Sequence, residues 1–312
     1  MTNLGLGCMG FSGMYGDTDD TKSIAVIQAA IERGVTLLDT GDFYGMGHNE
    51  MLLGKAIAGR RDKVQLSVKF GALRGPDGGW IGVDNRPVAV ATFLAYTLKR
   101  LGTDHVDIYR PARLDPSVPI EDTIGAISDL VKKGYVRQIG LSEVGADTIR
   151  RAHAVHPIVD LQIEYSVISR TPEAKIFPTL HELGIGATLY GVLSRGLLAG
   201  SKPTAKGDWR AHLPRFAGAA GAQNATVADR FAALAKRWSM TPGQLAIAYV
   251  RAKEPRLMPL VGARTLEQLT DALAATSLSP AQVSELERDV NPEAIAGTRY
   301  VPQQMAHLDS ER

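Results

Sequence analysis

Short apolar runs alternate with amphipathic stretches along almost the whole chain. Runs at 4–8, 35–39, 64–69, 106–110, 136–142, 160–164, 185–190 and 257–261 have the length and composition of strands. Between them the apolar period turns helical: Ile24, Ile27 and Ile31 share one face, and Gly34 marks the stop. Further helices are predicted over about 50–58, 87–101, 120–133, 146–155, 173–183, 227–238, 242–253 and 266–275, with one more near 280–289. Thr241 as N-cap and Pro242 at the first helical position support the 242–253 helix. Eight strand-helix units without a linker or low-complexity tract predict a single α/β domain over 1–312, a (β/α)8 TIM barrel.

Two stretches interrupt the alternation. Residues 71–85 form a predicted glycine-rich loop containing Trp80, and 201–224 form a polar segment longer than usual connections, expected to act as a lid. An irregular tail is expected over 290–312. Chemistry in such a barrel sits at the C-terminal strand ends. Asp39, Lys69, Ser142, Gln162 and Tyr190 each end a predicted strand, so they should converge on one mouth.

Composition narrows the function classes. With 45% hydrophobic and 22% charged residues and a formal charge of +2, the chain lacks the concentrated basic surface of nucleic-acid or anionic-membrane binders. No apolar run approaches the roughly 18 residues of a membrane span, and the first residues lack the basic flank and apolar core of a signal peptide. A cytoplasmic protein is expected. The single cysteine, Cys8, has no internal partner, and the seven histidines form no ligand-spaced cluster, so no metal site is expected.

The stretch Asp39-Thr40-Gly41-Asp42-Phe43-Tyr44-Gly45 resembles the Asp-Thr-Ala-x-x-Tyr-Gly signature of the aldo-keto reductase superfamily. Met9-Gly10, Lys69, Ile139-Gly140-Leu141-Ser142, Gln162 with Tyr165, Tyr190-Gly191 and Gly262-Ala263-Arg264 follow in family order and spacing. The resemblance implies NADPH-dependent interconversion of a small-molecule carbonyl and an alcohol, with Tyr44, Asp39 and Lys69 as catalytic residues. On physical grounds, a phenol of ordinary pKa near ~10 needs nearby positive charge to ionise. Lys69 is expected to supply it, with Asp39 holding the ammonium.

The resemblance assigns cofactor contacts to Met9, Gly10, Phe11, Ser142, Gln162, Tyr190, Gly191, Leu193, Gly262, Ala263, Arg264 and Gln268. Among these, Ser142 and Gln162 would bind the nicotinamide carboxamide, and Tyr190 would stack on its ring. Arg264, at a predicted helix start, would meet the 2′-phosphate, and Gln268 the adenine side.

Several positions depart from the family pattern. A histidine that would hydrogen-bond the substrate carbonyl is replaced by Ala112 in Tyr109-Arg110-Pro111-Ala112-Arg113-Leu114-Asp115, and His105 lies at the wrong end of that strand. Alternation places Arg110 on the face of Ala112, pointing inward toward an acid such as Asp39, Glu143 or Glu164, unless Pro111 twists it outward. Glu143 stands where asparagine often follows the serine, and Asp271-Ala272 replaces an adenine-side asparagine. The usual N-terminal β-hairpin is lacking, so the barrel bottom should be open, plugged by the tail or covered by a partner. Tyr15, Trp80, Tyr165, Trp209 and Phe216 are candidates to line the mouth. The competing reading is an NADP(H)-binding sensor or partner-docking module with weak or no reductase activity, which Ala112 and the missing hairpin favour.

Overall fold

The computed structural model describes residues 4–204 and 207–312. Its barrel strands are β1 (Gly5–Gly7), β2 (Leu37–Gly41), β3 (Gln65–Phe70), β6 (Val106–Pro111), β7 (Val136–Ser142), β8 (Ile158–Glu164), β9 (Gly186–Tyr190) and β10 (Met258–Val261). They close in the order β1, β10, β9, β8, β7, β6, β3, β2, and every pair is parallel. Covered by helices outside and filled within, these strands read as nearly continuous apolar runs because both faces are buried.

Around the barrel pack α1 (Asp20–Glu32), α2 (His48–Ala56), α3 (Pro87–Leu101), α4 (Ile120–Lys132), α5 (Ala146–Val155) and α6 (Ile176–Leu183). The ring continues with α7 (Gly218–Arg237), α8 (Pro242–Lys253) and α9 (Leu266–Leu273), and α10 (Pro280–Asp289) follows. Thr241 caps α8 as a full capping box with Gln244, as its sequence context predicts. No helix among the described residues is long and apolar enough to cross a membrane.

The interruptions are more ordered than their composition suggests. Within 71–85 lies an antiparallel hairpin, β4 (Ala72–Arg74) and β5 (Trp80–Val83), turned by Gly75 to Gly79. Helix α7 begins at Gly218, well inside the segment expected to be a loop; its first turns are rich in alanine, a strong helix former, and the interspersed glycines masked that preference. Residues 205 and 206 of the expected lid lie outside the described residues. The tail carries a short helix, α11 (Pro302–Met305), and is tied down where Asn224 on α7 exchanges hydrogen bonds with Ala296 at 2.8 Å.

That tail covers the C-terminal mouth, so it is not the plug considered for the bottom. Inside the lumen Leu37, Ile108 and Leu260 pack together with Met258 and Tyr190. Among the described residues no strand precedes β1.

Helices α2 and α3 meet closely at Gly54, where a Cβ would fall 2.8 Å from the Leu101 carbonyl oxygen and 2.9 Å from that of Arg100. Gly54→Ala therefore sets backbone against backbone, outweighing the gain in helix propensity. A loss of about 1–3 kcal/mol in urea unfolding is expected, and an unchanged midpoint would show that the helices separate freely.

Candidate active site

The inward positions of the barrel strands build a closed belt of polar side chains. Lys69 Nζ, at the end of β3, donates to Asp39 Oδ1 on β2 in a close ion pair. Asp39 Oδ2 accepts from Ser67 Oγ at 2.9 Å and from Gln162 Nε2 at 2.7 Å. Ser67 Oγ in turn accepts from Arg110 Nη2 at 3.0 Å, and Arg110 Nη1 pairs with Asp160 Oδ2 at 2.6 Å. Thr188 Oγ1 closes the ring, donating to Asp160 at 2.9 Å and accepting from Gln162 at 3.4 Å.

Arg110 does point into the barrel, but its carboxylate is Asp160, not Asp39, Glu143 or Glu164. Asp160 lies two residues below Gln162 on the same inward face of β8, which fits its depth to that of Arg110. Ile108 and the guanidinium together explain Gly140, where a Cβ would come within 2.9 Å of Ile108 Cγ2 and 3.1 Å of Arg110 Cζ.

Tyr44 stands above this belt on a turn after β2. Its loop passes through left-handed conformations at Gly45 (φ 57°), Met46 (φ 51°) and Gly47 (φ 94°). Asn49 pins the loop from below: it accepts from Thr40 at 2.7 Å and donates to Cys8 O at 2.9 Å and Ser12 Oγ at 2.8 Å. Lys69 Nζ lies 5.1 Å from the Tyr44 ring centroid.

The electrostatics differ from the expected phenolate. Burial pushes the Tyr44 hydroxyl well above its ordinary value, the Asp39 carboxylate adds to this, and Arg113 opposes it. Lys69 is spent on Asp39, and burial moves its own ammonium downward against that pairing. Tyr44 is thus kept as a neutral, proton-bearing phenol.

Every residue assigned above to catalysis or cofactor binding lines a single cavity of about 820 Å³. Of the five mouth aromatics, Tyr15, Trp80 and Trp209 line it as well. Tyr165 does not: fully buried, it stacks on Tyr249 and donates to Glu173 at 2.5 Å. Phe216 packs beside Leu213 and Tyr300 behind the wall.

At the far end, Arg264 donates to the carbonyls of Tyr15, at 2.8 Å, and Asp17, at 2.5 Å. Gln268 accepts from the Arg264 amide at 2.7 Å, and Asp271 accepts from Thr241 at 2.8 Å. Among the described residues the buried indole N–H of Trp209, a cavity-lining residue, has no hydrogen-bond partner. Among the described residues no cluster could hold a metal ion.

The tail supplies residues that the strand pattern did not point to. Glu143 sits just past β7 at φ 53° and turns away from the cavity to accept from Arg299 at 2.9 Å and Ser310 at 2.7 Å. Glu164 accepts from Arg195 at 2.7 Å and Arg299 at 3.1 Å. These pairs hold Tyr300 in the cavity wall, its hydroxyl 2.9 Å from that of Tyr190 and its ring under Arg195 at 4.5 Å. No local signal in an irregular tail marks such residues, although the unexpected Glu143 hinted that an arginine faced it.

The fold and this mouth define a class: a (β/α)8 barrel with a ligand-sized cavity at the C-terminal ends of its strands. The model of the Aldo/keto reductase family matches residues 3–289, and the chain belongs to that family. A "Probable aldo-keto reductase 1" of Glycine max is 40% identical over 311 residues, spanning 96% of this chain and 88% of the relative. Among solved structures, a glycerol dehydrogenase from Gluconobacter oxydans superposes with a TM-score of 0.82 at 24% identity, covering 96% of this chain and 92% of that one. An aldo-keto reductase from Bacillus halodurans, in its holo form, gives 0.74 at 26% identity, covering 93% and 92%.

Glu143 carries a pH prediction. Burial works to raise its carboxyl, but Arg299, Arg113 and Ser310 outweigh burial and hold it at about 2, against 4.5 ordinarily. The folded value is depressed, so the stabilisation is complete above about pH 4.5 and lost as pH falls toward 2. Glu143→Gln should therefore be less stable than wild type at pH 6, with the gap closing in chemical denaturation at pH 3; a gap of equal size at both would remove this role.

Proposed function

We propose that this protein is an NADPH-dependent oxidoreductase that interconverts an aldehyde or ketone and an alcohol, with Tyr44 as the proton donor in reduction and acceptor in oxidation. The observation that carries this reading is the placement of Tyr44 over the Lys69–Asp39 pair of the belt at the head of a cavity sized for a ligand. When bound, the reduced nicotinamide supplies a hydride to the carbonyl carbon. Tyr44 supplies the proton to the oxygen, and the alcohol leaves with one hydride and one proton gained.

A buried phenol suits this task because it keeps its proton until an alkoxide, a far stronger base than a carboxylate, develops beside it. Proton loss leaves a Tyr44 phenolate beside the Lys69 ammonium, which Asp39 holds in place, and a proton from solvent restores the phenol before the next turnover. The donor set fits the nicotinamide dinucleotide. Ser142 offers a hydroxyl and Gln162, its N–H groups engaged in the belt, offers its amide oxygen to the carboxamide, and Tyr190 offers an aromatic face. Arg264 uses two N–H groups on carbonyls and retains others for the 2′-phosphate, which favours NADPH over NADH.

Ala112 leaves the carbonyl oxygen without an imidazole donor. Removal of one such donor costs about 100- to 1000-fold in other enzymes, so turnover persists at a reduced rate.

Stopped-flow mixing of the NADPH-loaded protein with aldehydes, ketones and quinones tests the reading. Tyr44→Phe should slow cofactor oxidation at least ~100-fold. If no compound gives Tyr44-dependent oxidation, the cofactor-binding sensor is the better description. Titration of NADPH and NADH by fluorescence quenching tests the phosphate contact: Arg264→Ala should weaken NADPH selectively, and unchanged discrimination would dismiss Arg264.

A further inference from the structure

The substrate half of the cavity is the part walled by Tyr44, Ala112 and the β4–β5 hairpin, and its charge is unbalanced. Among the arginines lining the cavity, Arg195 is paired with Glu164 at 2.7 Å and Arg210 with Asp208 at 2.6 Å. Arg264 lies at the far end of the cavity, away from Tyr44, where it donates to two carbonyls and packs so close to Gly10 that a Cβ there would lie 3.4 Å from its Cγ. Arg113 and Arg74 are different. Among the described residues neither has a carboxylate within ion-pair distance. Arg113 Nη1 donates to the carbonyl of its own neighbour Ala112 at 2.6 Å, and Arg74 Nη1 donates to Gly78 in its own hairpin turn at 3.3 Å.

Both side chains are partly buried, and a guanidinium drawn out of water gains from an anion and hydrogen bonds that compensate it. Glu143 is the acid whose field Arg113 feels, but that carboxylate is committed to Arg299 and Ser310. The fork is nevertheless held in place. Arg113 Cζ lies 5.8 Å from the Tyr300 ring centroid, and Tyr300 is itself fixed through its hydroxyl to Tyr190. Both arginines also sit within electrostatic reach of the Tyr44 phenol, so they flank the place where a carbonyl would be protonated. Beside them the wall at Ala112 is only a methyl group, which leaves room for a substituent next to the reacting carbon.

We propose that the substrate is a carbonyl compound bearing a carboxylate, and that Arg113 binds the carboxylate with Arg74 as a second cation. This rests on the reductase reading of the site. A planar carboxylate matches the guanidinium fork through two parallel N–H···O bonds, and it supplies the counter-charge that the protein itself withholds. Reduction at the neighbouring carbonyl leaves that anchor unchanged, so the hydroxy acid formed is held by the same residue.

The test uses isosteric pairs that differ only in charge: phenylglyoxylate against phenylglyoxylamide, and 4-carboxybenzaldehyde against 4-formylbenzamide. In at least one pair, kcat/KM for the acid should exceed that for the amide by about tenfold or more, through KM. Arg113→Gln should bring that ratio close to one, and Arg113→Lys should retain part of it. Because the ratio is taken within each variant, partial loss of folded protein does not affect it. Calorimetric titration of phenylglyoxylate and its amide into the NADP-loaded protein gives the same comparison without turnover. Equal treatment of acid and amide in both pairs and in calorimetry would overturn the proposal, as would an acid preference that survives Arg113→Gln. A fall in kcat shared equally by acid and amide in Arg113→Gln would also overturn it and assign Arg113 to the carbonyl oxygen. If none of the four compounds oxidises NADPH, calorimetry alone decides the carboxylate site, and the reductase reading falls only if the wider panel of aldehydes, ketones and quinones fails as well.

Discussion

The buried pairing of Lys69 with Asp39 is the interaction on which the arrangement of the mouth depends. Neither charge can be left alone at such depth, since an unpaired ammonium or carboxylate in the barrel interior would cost several kcal/mol. Their compensation is shared: Asp39 is also held by Ser67 and Gln162, and Ser67 passes the connection to Arg110 and Asp160. Five strands thus contribute to one hydrogen-bonded ring. A register slip of one residue in any of them would turn its polar member outward and break the ring. The belt therefore specifies the barrel as well as placing a neutral ion pair beneath Tyr44.

A second polar system fixes the roof. Glu143 and Glu164, at the ends of neighbouring strands, gather Arg299 and Arg195, and through them the tail and the loop after β9. Tyr300 is wedged between these cations and closes the cavity beside Tyr190. The two acids are consumed by this task, and that is why Arg113, which feels the field of Glu143, has no ion-pair partner of its own among the described residues. Replacement of an amide by Glu143 after Ser142 thus has a structural meaning: the position holds the tail instead of facing a ligand.

Patterns of period and strand-end position were enough to expect the (β/α)8 barrel and the convergence of Asp39, Lys69, Ser142, Gln162 and Tyr190, because alternation and barrel register are local rules that repeat; Tyr44 was picked out by the family resemblance of its stretch. Alternation pointed Arg110 inward, but Pro111 left an outward twist open, and the structure decided for the interior. Its partner could not be read from alternation, since which acid lies at the same depth depends on the shear between β6 and β8. The ordered hairpin at 72–83 and the early start of α7 were hidden by glycines whose conformations are chosen by packing. Tyr165 and Phe216 looked like mouth residues and are packed elsewhere, because an aromatic in a loop carries no sign of the direction it faces. Only the tertiary structure could decide the roles of Arg299, Tyr300 and Arg113: the first two come from a tail without periodicity, and the third matters through the absence of a nearby acid. Such an absence is a property of three-dimensional neighbours, which no stretch of sequence encodes by itself.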